Sequence, residues 1–315
     1  MKKIIVIGEI LVEIMADQIG DGFLTPLALT GPFPSGAPAI FIDQVAKLGQ
    51  PCGIVSSVGC DDFGRLNISR LQSDGVDVSA ISEDLTRPTG TAFVRYRQDG
   101  SRDFIFNIEH SACGQVDMTQ AAQTLFDSAD HLHVMGSSLS SPTFIELNLR
   151  AAQLVKRRGG SVSFDPNLRK EMLKKDGMRQ AMHQLLDQTD LFLPSGDELT
   201  LLTEASNEDD ALAELFGKGI SAVVHKKGSK GATFHDLQQS VTARAFSVDE
   251  IDPTGAGDCF GGAFATYWLR GTDPATALLR ASASGALAVG KRGPMEGTSN
   301  AEEIDAFLRH HGEPA

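Results

Sequence analysis

The segment from Asp252 to Phe264 has the residue types and spacing of an anion-binding site. It reads DPTGAGDCFGGAF, with four glycines around the aspartate at position 258. Aromatic residues follow at helical spacing, so we expect the glycines to lie at the N-terminus of a helix. Unpaired backbone N–H groups and the positive end of the helix dipole favour an anion at that position.

Asp258 lies in the expected first turn of this helix, next to the anion. A carboxylate beside a phosphate repels it, so its presence there indicates a chemical role. Accepting the proton of an attacking hydroxyl is such a role. The alternative is a helix cap that stabilises the fold by about 1 kcal/mol. The local pattern leaves both interpretations open.

Several common catalytic patterns do not occur in the chain. It lacks the Walker pattern G-x-x-x-x-G-K-[ST], H-E-x-x-H and G-x-S-x-G. The dinucleotide pattern G-x-G-x-x-G fails because the glycine after Gly255 and Gly257 is Gly261, one residue late. A nicotinamide-dependent dehydrogenase is therefore poorly supported.

Short apolar runs alternate with helical patterns along most of the chain. The runs predict strands at 3–8, 52–59, 131–136, 161–165, 190–194 and 221–226. Strands alternating with helices are typical of a parallel α/β sheet, and ligands of such sheets collect at the C-terminal strand ends. We expect the Asp252–Phe264 segment to lie at that end.

Two segments interrupt this alternation. Residues 91–108 alternate apolar and polar around Asp99-Gly100, which predicts a two-residue hairpin, and residues 20–38 are rich in proline and glycine. Together they could form a small sheet that acts as a lid; a surface hairpin without function is the alternative. We therefore expect one domain, 1–315, with lid excursions at about 16–35 and 88–112.

Composition and charge exclude some classes of partner. The 315 residues carry a formal net charge of -13, so nucleic acid is an unexpected partner. The first residues, MKKIIVIGEI, predict a strand rather than a signal peptide, and no apolar run is long enough to span a membrane. The four cysteines are scattered, which favours reduced thiols and a cytoplasmic location.

The whole chain resembles the PfkB family of ribokinase-like carbohydrate kinases. DPTGAGDCFGGAF is similar to the family's C-terminal signature, D-T-x-G-A-G-D-x-F. Other segments resemble family motifs in the family's order: IVIGEILVEI, PSGAPAIFIDQVAKLG, SSVGCDDFG, FDPNLR, LPSGDE and KKGSKGA. The resemblance implies a three-layer α/β sandwich with a mostly parallel central sheet and a small β lid.

The resemblance also implies roles for the glycine-rich segment. Asp258 would be the base that activates the sugar hydroxyl. The backbone N–H groups of Gly255, Ala256 and Gly257 would stabilise the charge that develops on the γ-phosphate of ATP. Asp252 and Thr254 match positions near a monovalent-cation site, so K⁺ is a third implied ligand beside ATP and Mg²⁺. Taken alone, Asp252 could equally be a turn residue before Pro253.

Further residues are implied to hold Mg²⁺ATP. Glu198 matches the acidic residue of the family's N-x-x-E motif, although by itself it could be a solvated residue at a helix start. The other implied nucleotide-binding residues are Asn167, Lys227, Gly228 and Gly231.

The sugar is implied to contact Glu13, Gly36, Ala37, Asp258 and Arg169. By itself, Arg169 could instead pair with a nearby carboxylate.

The chain departs from the family in the sugar pocket and at one corner of the metal site. Ser35 replaces a glycine, and Ile40 replaces an asparagine that binds sugar. Ser195 stands where the N-x-x-E motif begins, and Glu13 replaces the usual aspartate at the end of the first strand. These changes leave the anion site intact and affect the choice of sugar.

The combined expectation is an ATP-dependent kinase that phosphorylates a ketohexose similar to tagatose or fructose. The alternatives are a 2-keto-3-deoxygluconate kinase and a sugar-sensing protein without catalysis. The resemblance further suggests a homodimer formed through the lid.

Overall fold

The computed structural model describes residues 1–139, 141–168 and 177–314. Its strands, in chain order, are β1 (Ile4–Ile7), β2 (Leu11–Ala16), β3 (Leu29–Ser35), β4 (Cys52–Gly59), β5 (Ile81–Asp84), β6 (Gly90–Tyr96), β7 (Arg102–Asn107), β8 (His131–Met135), β9 (Ser161–Asp165), β10 (Leu191–Phe192), β11 (Ala222–Lys226), β12 (Ala232–His235) and β13 (Ser240–Ala243).

Its α-helices, in chain order, are α1 (Ala37–Lys47), α2 (Asp62–Asp74), α3 (Gln120–Asp127), α4 (Pro142–Arg157), α5 (Met178–Leu186), α6 (Glu198–Leu201), α7 (Glu208–Gly217), α8 (Ala256–Leu269), α9 (Pro274–Val289) and α10 (Ala301–His310).

The main sheet is mostly parallel, as the alternation of strands and helices predicts. Its strand order is β13-β12-β11-β10-β9-β8-β1-β4-β5. The seven strands from β11 to β5 in that order pair in parallel, and β12 and β13 add an antiparallel edge. The six predicted strands are confirmed as β1, β4, β8, β9, β10 and β11.

Helices cover both faces of this sheet and form a three-layer sandwich. Successive residues of a strand point to opposite faces. Ile4 of β1 accordingly packs in the buried cluster that contains Phe264 of α8, while Ile5 packs in a second cluster with Phe144 of α4. Because β1 is buried on both faces, its sequence is a continuous apolar run rather than an alternating one.

The second sheet has the order β3-β2-β6-β7 and contains the two segments that interrupt the alternation. Strands β2 and β6 are parallel, and the other pairs are antiparallel. The predicted small sheet is therefore present. The assignment of the whole chain to one kinase domain stays a prediction.

Two details of the small sheet differ from expectation. The hairpin loop is not a two-residue turn, because Arg97 N–H bonds to the carbonyl of Ser101 and Gly100 N–H bonds to that of Arg97. Only Gly100 has a positive φ, and the Asp99 carboxylate accepts the N–H of Ser101. Glu13 lies in β2 of the small sheet rather than at the end of the first strand, because the chain leaves the main sheet after Ile7.

In these three described ranges, no helix is both long and apolar enough to cross a membrane.

Candidate active site

The glycine-rich segment forms a tight turn and the start of α8, as predicted. Gly255 is the N-cap residue and has a φ of 84°. A Cβ at this position would lie 2.4 Å from the carbonyl oxygen of Pro294, so only glycine fits. Gly257 is exposed, and a Cβ there would meet nothing within 4 Å. Gly257 therefore borders open space that an anion could fill, while the Ala256 N–H bonds to the carbonyl of Pro253 at 3.4 Å.

Asp258 is the third residue of α8 and is half-buried. Because Gly255 occupies the N-cap position, the interpretation of Asp258 as the N-cap is wrong. Asn167 is one of its neighbours, and Nδ2 of Asn167 lies 3.5 Å from Oδ1 of Asp258. Asn167 follows β9 and has a φ of 40°, and its N–H bonds to Oδ1 of Asp165 at 3.1 Å. That bond helps hold the amide side chain beside Asp258.

A buried ion pair lies at the ends of β9 and β11. The ammonium of Lys226 donates a hydrogen bond to Oδ2 of Asp165, and both side chains are almost fully buried. Lys226 was not among the predicted site residues, and the role of Lys227 in nucleotide binding stays a prediction. Lys227 instead bonds to Glu208 of α7 at 3.0 Å, where both side chains are partly exposed. Lys226, the last residue of β11, thus lies beside the Asp165 carboxylate, and Lys227 contacts α7 instead.

Glu198 completes this cluster of charged groups. Its Oε1 accepts the N–H of Leu168 and its Oε2 accepts the N–H of Ser195, both at 2.7 Å. Burial and the nearby Asp165 carboxylate raise the pKa of Glu198. The two backbone bonds fix the carboxylate, and each oxygen keeps acceptor capacity for water or a metal ion. Ser195 holds Glu198 through its backbone N–H, and a serine provides this donor just as the family's usual asparagine would.

The predicted nucleotide-binding glycines form the turn between β11 and β12. Gly228 has a φ of 56° and open space around it. Gly231 has a φ of 92°, and a Cβ there would lie 2.1 Å from the carbonyl oxygen of Ala243. The turn therefore requires glycine at 231 and leaves the surface at 228 free for a ligand.

The predicted sugar-binding residues lie where β2, β3 and α1 meet. Glu13 is buried and lies beside Phe33 of β3 and Ala92 of β6. Gly36, with a φ of 114°, directly precedes Ala37, the first residue of α1. Arg169, also predicted to contact the sugar, lies outside the described residues.

Ile40 connects this region to the catalytic turn. It is buried in α1, and its Cγ2 would lie 3.3 Å from a Cβ at Gly255. An apolar side chain therefore supports the turn at the position where the family usually has a sugar-binding amide.

Asp252 and Thr254 contact the small sheet. Asp252 is 1% exposed and accepts a hydrogen bond from the hydroxyl of Tyr96, the last residue of β6. Thr254 Oγ1 lies 3.3 Å from the same hydroxyl and accepts a hydrogen bond of 3.0 Å from Arg102. Burial, and next the bond to Asp252, raise the pKa of Tyr96. The small sheet thus reaches the turn that precedes Asp258.

A cleft of about 740 Å³ opens between β7 and the N-terminus of α2. Its lining includes Asp61, Phe63, Phe106 and Asn107, and none of the predicted site residues that the structure describes. No group of three or more histidine, cysteine, aspartate or glutamate side chains arranged to hold a metal occurs among the described residues.

The chain is similar to sugar kinases over almost its whole length. The model of the pfkB carbohydrate kinase family matches residues 1–301. A 2-dehydro-3-deoxygluconokinase of Thermoproteus tenax is 30% identical over 314 residues, which are 98% of this chain and 95% of the relative.

Solved structures show the same likeness. A protein of E. coli provisionally named ribokinase II, solved with ATP and Mg²⁺, is 48% identical, with a TM-score of 0.93 over 99% of this chain and 100% of that one. A fructokinase double mutant of Vibrio cholerae O395, solved with fructose, ADP and a potassium ion, is 26% identical, with a TM-score of 0.82 over 98% of each chain. Because the family model matches nearly the whole chain, this protein belongs to the PfkB family of carbohydrate kinases.

Proposed function

We propose that this sugar kinase transfers the γ-phosphoryl group of ATP to a hydroxyl of a ketohexose similar to tagatose or fructose. The observation that carries the proposal is the open glycine turn of α8, with Asp258 in its first turn beside Asn167. The N–H groups at the N-terminus of a helix suit a phosphoryl group. A carboxylate three residues into the helix suits a base that acts next to that group.

Asp258 takes the proton of the attacking sugar hydroxyl. The hydroxyl oxygen forms a bond to the γ-phosphorus, and the bond from that phosphorus to the bridging oxygen breaks, so the electron pair leaves with ADP. The N–H groups of Gly255, Ala256 and Gly257 stabilise the negative charge on the transferred group. The close approach of Gly255 to Pro294 fixes the turn that carries these donors, and the Ala256 N–H would exchange its 3.4 Å bond to the carbonyl of Pro253 for the phosphoryl group.

The described residues fit Mg²⁺ATP. The open surface at Gly228 and the first turn of α8 can receive the nucleotide and its phosphates. Glu198 and Asn167 would hold Mg²⁺, with Glu198 acting through water, since its two oxygens are already oriented by backbone N–H groups. The bound ion would neutralise phosphate charge. Lys226 keeps this carboxylate-rich region from carrying excess negative charge, because it pairs with Asp165.

The sugar lies between α1 and the small sheet. Glu13 is buried in β2, and Gly36 brings the backbone close to the end of the first strand, since a Cβ there would lie 2.3 Å from the carbonyl oxygen of Glu9. Phe104 and Phe106 of β7 stack at 5.0 Å. They are on the same face of β7 as Arg102, which reaches Thr254. Apolar rings on that face would exclude water when the sugar is bound.

An ADP-release assay over a panel of sugars tests the proposal. The panel contains tagatose, fructose, psicose, ribose, glucose and 2-keto-3-deoxygluconate, each with Mg²⁺ATP. We expect the highest kcat/KM with a ketohexose. Activity with none of the sugars, or ADP release that does not depend on sugar, would contradict the kinase proposal.

A second candidate substrate is 2-keto-3-deoxygluconate, which the Thermoproteus tenax relative favours. This substrate carries a carboxylate and needs a cation in the sugar pocket. A kcat/KM for the keto-deoxy acid above that for each of the three ketohexoses would select this alternative and leave the phosphotransfer mechanism unchanged.

We further propose that two copies of the chain associate through their small sheets. Apolar side chains on this part of the molecule are exposed, among them Leu29 at 42% and Ile105 at 46%. Exposed apolar patches often mark an interface. Sedimentation equilibrium should give a dimer for the wild type and a monomer for Ile105→Glu; a wild-type monomer at tens of micromolar would contradict this proposal.

A further inference from the structure

The small sheet is attached to the catalytic turn by two adjacent side chains. Tyr96 ends β6, Arg102 begins β7, and the two residues are paired across the hairpin, so their side chains share a face. The hydroxyl of Tyr96 donates to Asp252, and Arg102 donates to Thr254. Both acceptors belong to the turn that leads into α8.

Asp252 is a buried carboxylate whose two oxygens are both occupied. Its Oδ1 accepts the Tyr96 hydroxyl and the N–H of Thr254, and its Oδ2 accepts the N–H of Gly293, the last two at 3.0 Å. An ionised carboxylate has about four acceptor sites, so three donors nearly saturate it. Each of these hydrogens carries partial positive charge and points at the carboxylate.

A monovalent cation does not fit this arrangement. A cation would need oxygen ligands from Asp252 and Thr254, but O–H and N–H donors surround the Asp252 carboxylate. The guanidinium of Arg102 lies 3.0 Å from Oγ1 of Thr254. A cation bound at Thr254 would lie next to this guanidinium, and two positive charges next to each other repel. The implied K⁺ site of Asp252 and Thr254 is therefore occupied by groups of the chain itself.

We propose that Tyr96 and Arg102 take the place of a monovalent cation at Asp252 and Thr254, so that the small sheet positions the catalytic turn and activity does not require K⁺. Both are positioning residues that act through the turn, because their hydrogen bonds go to Asp252 and Thr254. This inference rests on the proposed kinase function for its kinetic test, and an independent test follows from stability.

The kinetic test compares KCl with tetramethylammonium chloride at equal ionic strength. Wild-type kcat/KM for the best sugar of the panel should agree within about twofold in the two salts. In tetramethylammonium, Tyr96→Phe should lose roughly tenfold in kcat/KM, because a hydrogen bond to a buried carboxylate is lost. K⁺ should restore much of this loss, because the vacated side of Asp252 can then accept a cation.

The controls separate this effect from a general effect on the fold. Tyr267→Phe removes the only other tyrosine hydroxyl, which bonds to Arg280 in another part of the molecule. Arg97→Gln removes a guanidinium from the same hairpin that pairs with Asp103 instead of the turn. Both variants should behave as the wild type does in the two salts. Arg102→Gln should show the same response to K⁺ as Tyr96→Phe.

Thermal unfolding tests the inference without any substrate. K⁺ should leave the wild-type Tm unchanged relative to tetramethylammonium and should raise that of Tyr96→Phe by several degrees. A wild type that needs K⁺ for activity, or that K⁺ stabilises as much as the variant, would overturn the inference. Identical behaviour of Tyr96→Phe and Tyr267→Phe in both salts would overturn it as well. Because melting needs no sugar, an inactive protein would refute the kinase proposal alone.

Discussion

Replacing Asp258 by asparagine tests the central chemical assignment. The change keeps the size of the side chain and removes its capacity to take a proton. Loss of a general base lowers the rate by roughly 10²-fold to 10⁴-fold, which corresponds to about 3–5 kcal/mol of activation free energy. The KM for ATP should stay the same or fall, because one negative charge is removed next to the phosphates.

The structure also sets the expected effect of this change on stability. Asp258 is in the first turn of α8, so its charge stabilises the helix by about 0.3–1 kcal/mol through the helix dipole. Its contact with Asn167, at 3.5 Å, is long and contributes little. For a chain of this length such a loss lowers the Tm by roughly 1–3 °C. The variant should therefore fold and be almost inactive.

The assay measures ADP release at saturating sugar together with the Tm of each variant. Glu302→Gln provides a matched control, because it removes the same charge from the first turn of another helix, α10. This control should keep full activity with a similar small change in Tm. If Asp258→Asn retains more than about a tenth of wild-type kcat, the base assignment in the proposed mechanism is refuted.

Two further substitutions test the charged and buried groups around the site. Lys226→Met should lower the free energy of unfolding by about 3–5 kcal/mol in urea titrations, because the buried Asp165 carboxylate loses its partner, whereas Lys227→Met should cost at most about 1 kcal/mol. Equal effects of the two lysine substitutions would contradict the assignment of Lys226 to the strand-end cluster. Burial lowers the pKa of His131 to about 3, so the unfolded chain binds a proton below pH 6.5 that the native protein does not. Native stability should therefore fall as the pH decreases from 6.5 towards 3. Between pH 7 and pH 5 the free energy of unfolding should fall by about 2 kcal/mol less in His131→Gln than in the wild type. The same pH dependence of stability in both proteins would refute this prediction.

The sequence predicted the main sheet because its strands are buried on both faces. Such strands are continuous apolar runs, and each run lies between helical patterns, so β1, β4, β8 and β9 were found close to their observed bounds. Strands β3, β6 and β7 of the small sheet are partly exposed, and their patterns are weaker. Strand β2 is almost fully buried and starts only four positions after β1 ends, so Glu13 was placed at the end of the first strand although it lies in β2.

The ion pair between Lys226 and Asp165 could not be predicted from local sequence. The apolar run predicted a strand that ends at Lys226, but the partner of that lysine lies on another strand. The position of Asp165 beside it depends on how β9, β10 and β11 pair. The contact between Tyr96 and Asp252 is harder still, since 156 positions separate the two residues and neither side chain breaks a local pattern. Contacts of this kind depend on how the small sheet packs on the main one.

The catalytic part of the site was easier to predict than the sugar pocket for a physical reason. The proposed phosphoryl-transfer site is a continuous segment, in which the glycine turn and Asp258 lie within a few residues of each other. The proposed sugar pocket combines the small sheet with the start of α1, so no single segment determines it. Ile40 shows the consequence, because it packs under Gly255 and supports the turn where a family member would place an amide. Under the proposed function, a sugar hydroxyl that such an amide would bind needs another partner, and the small sheet carries the predicted sugar-binding residue Glu13 in β2.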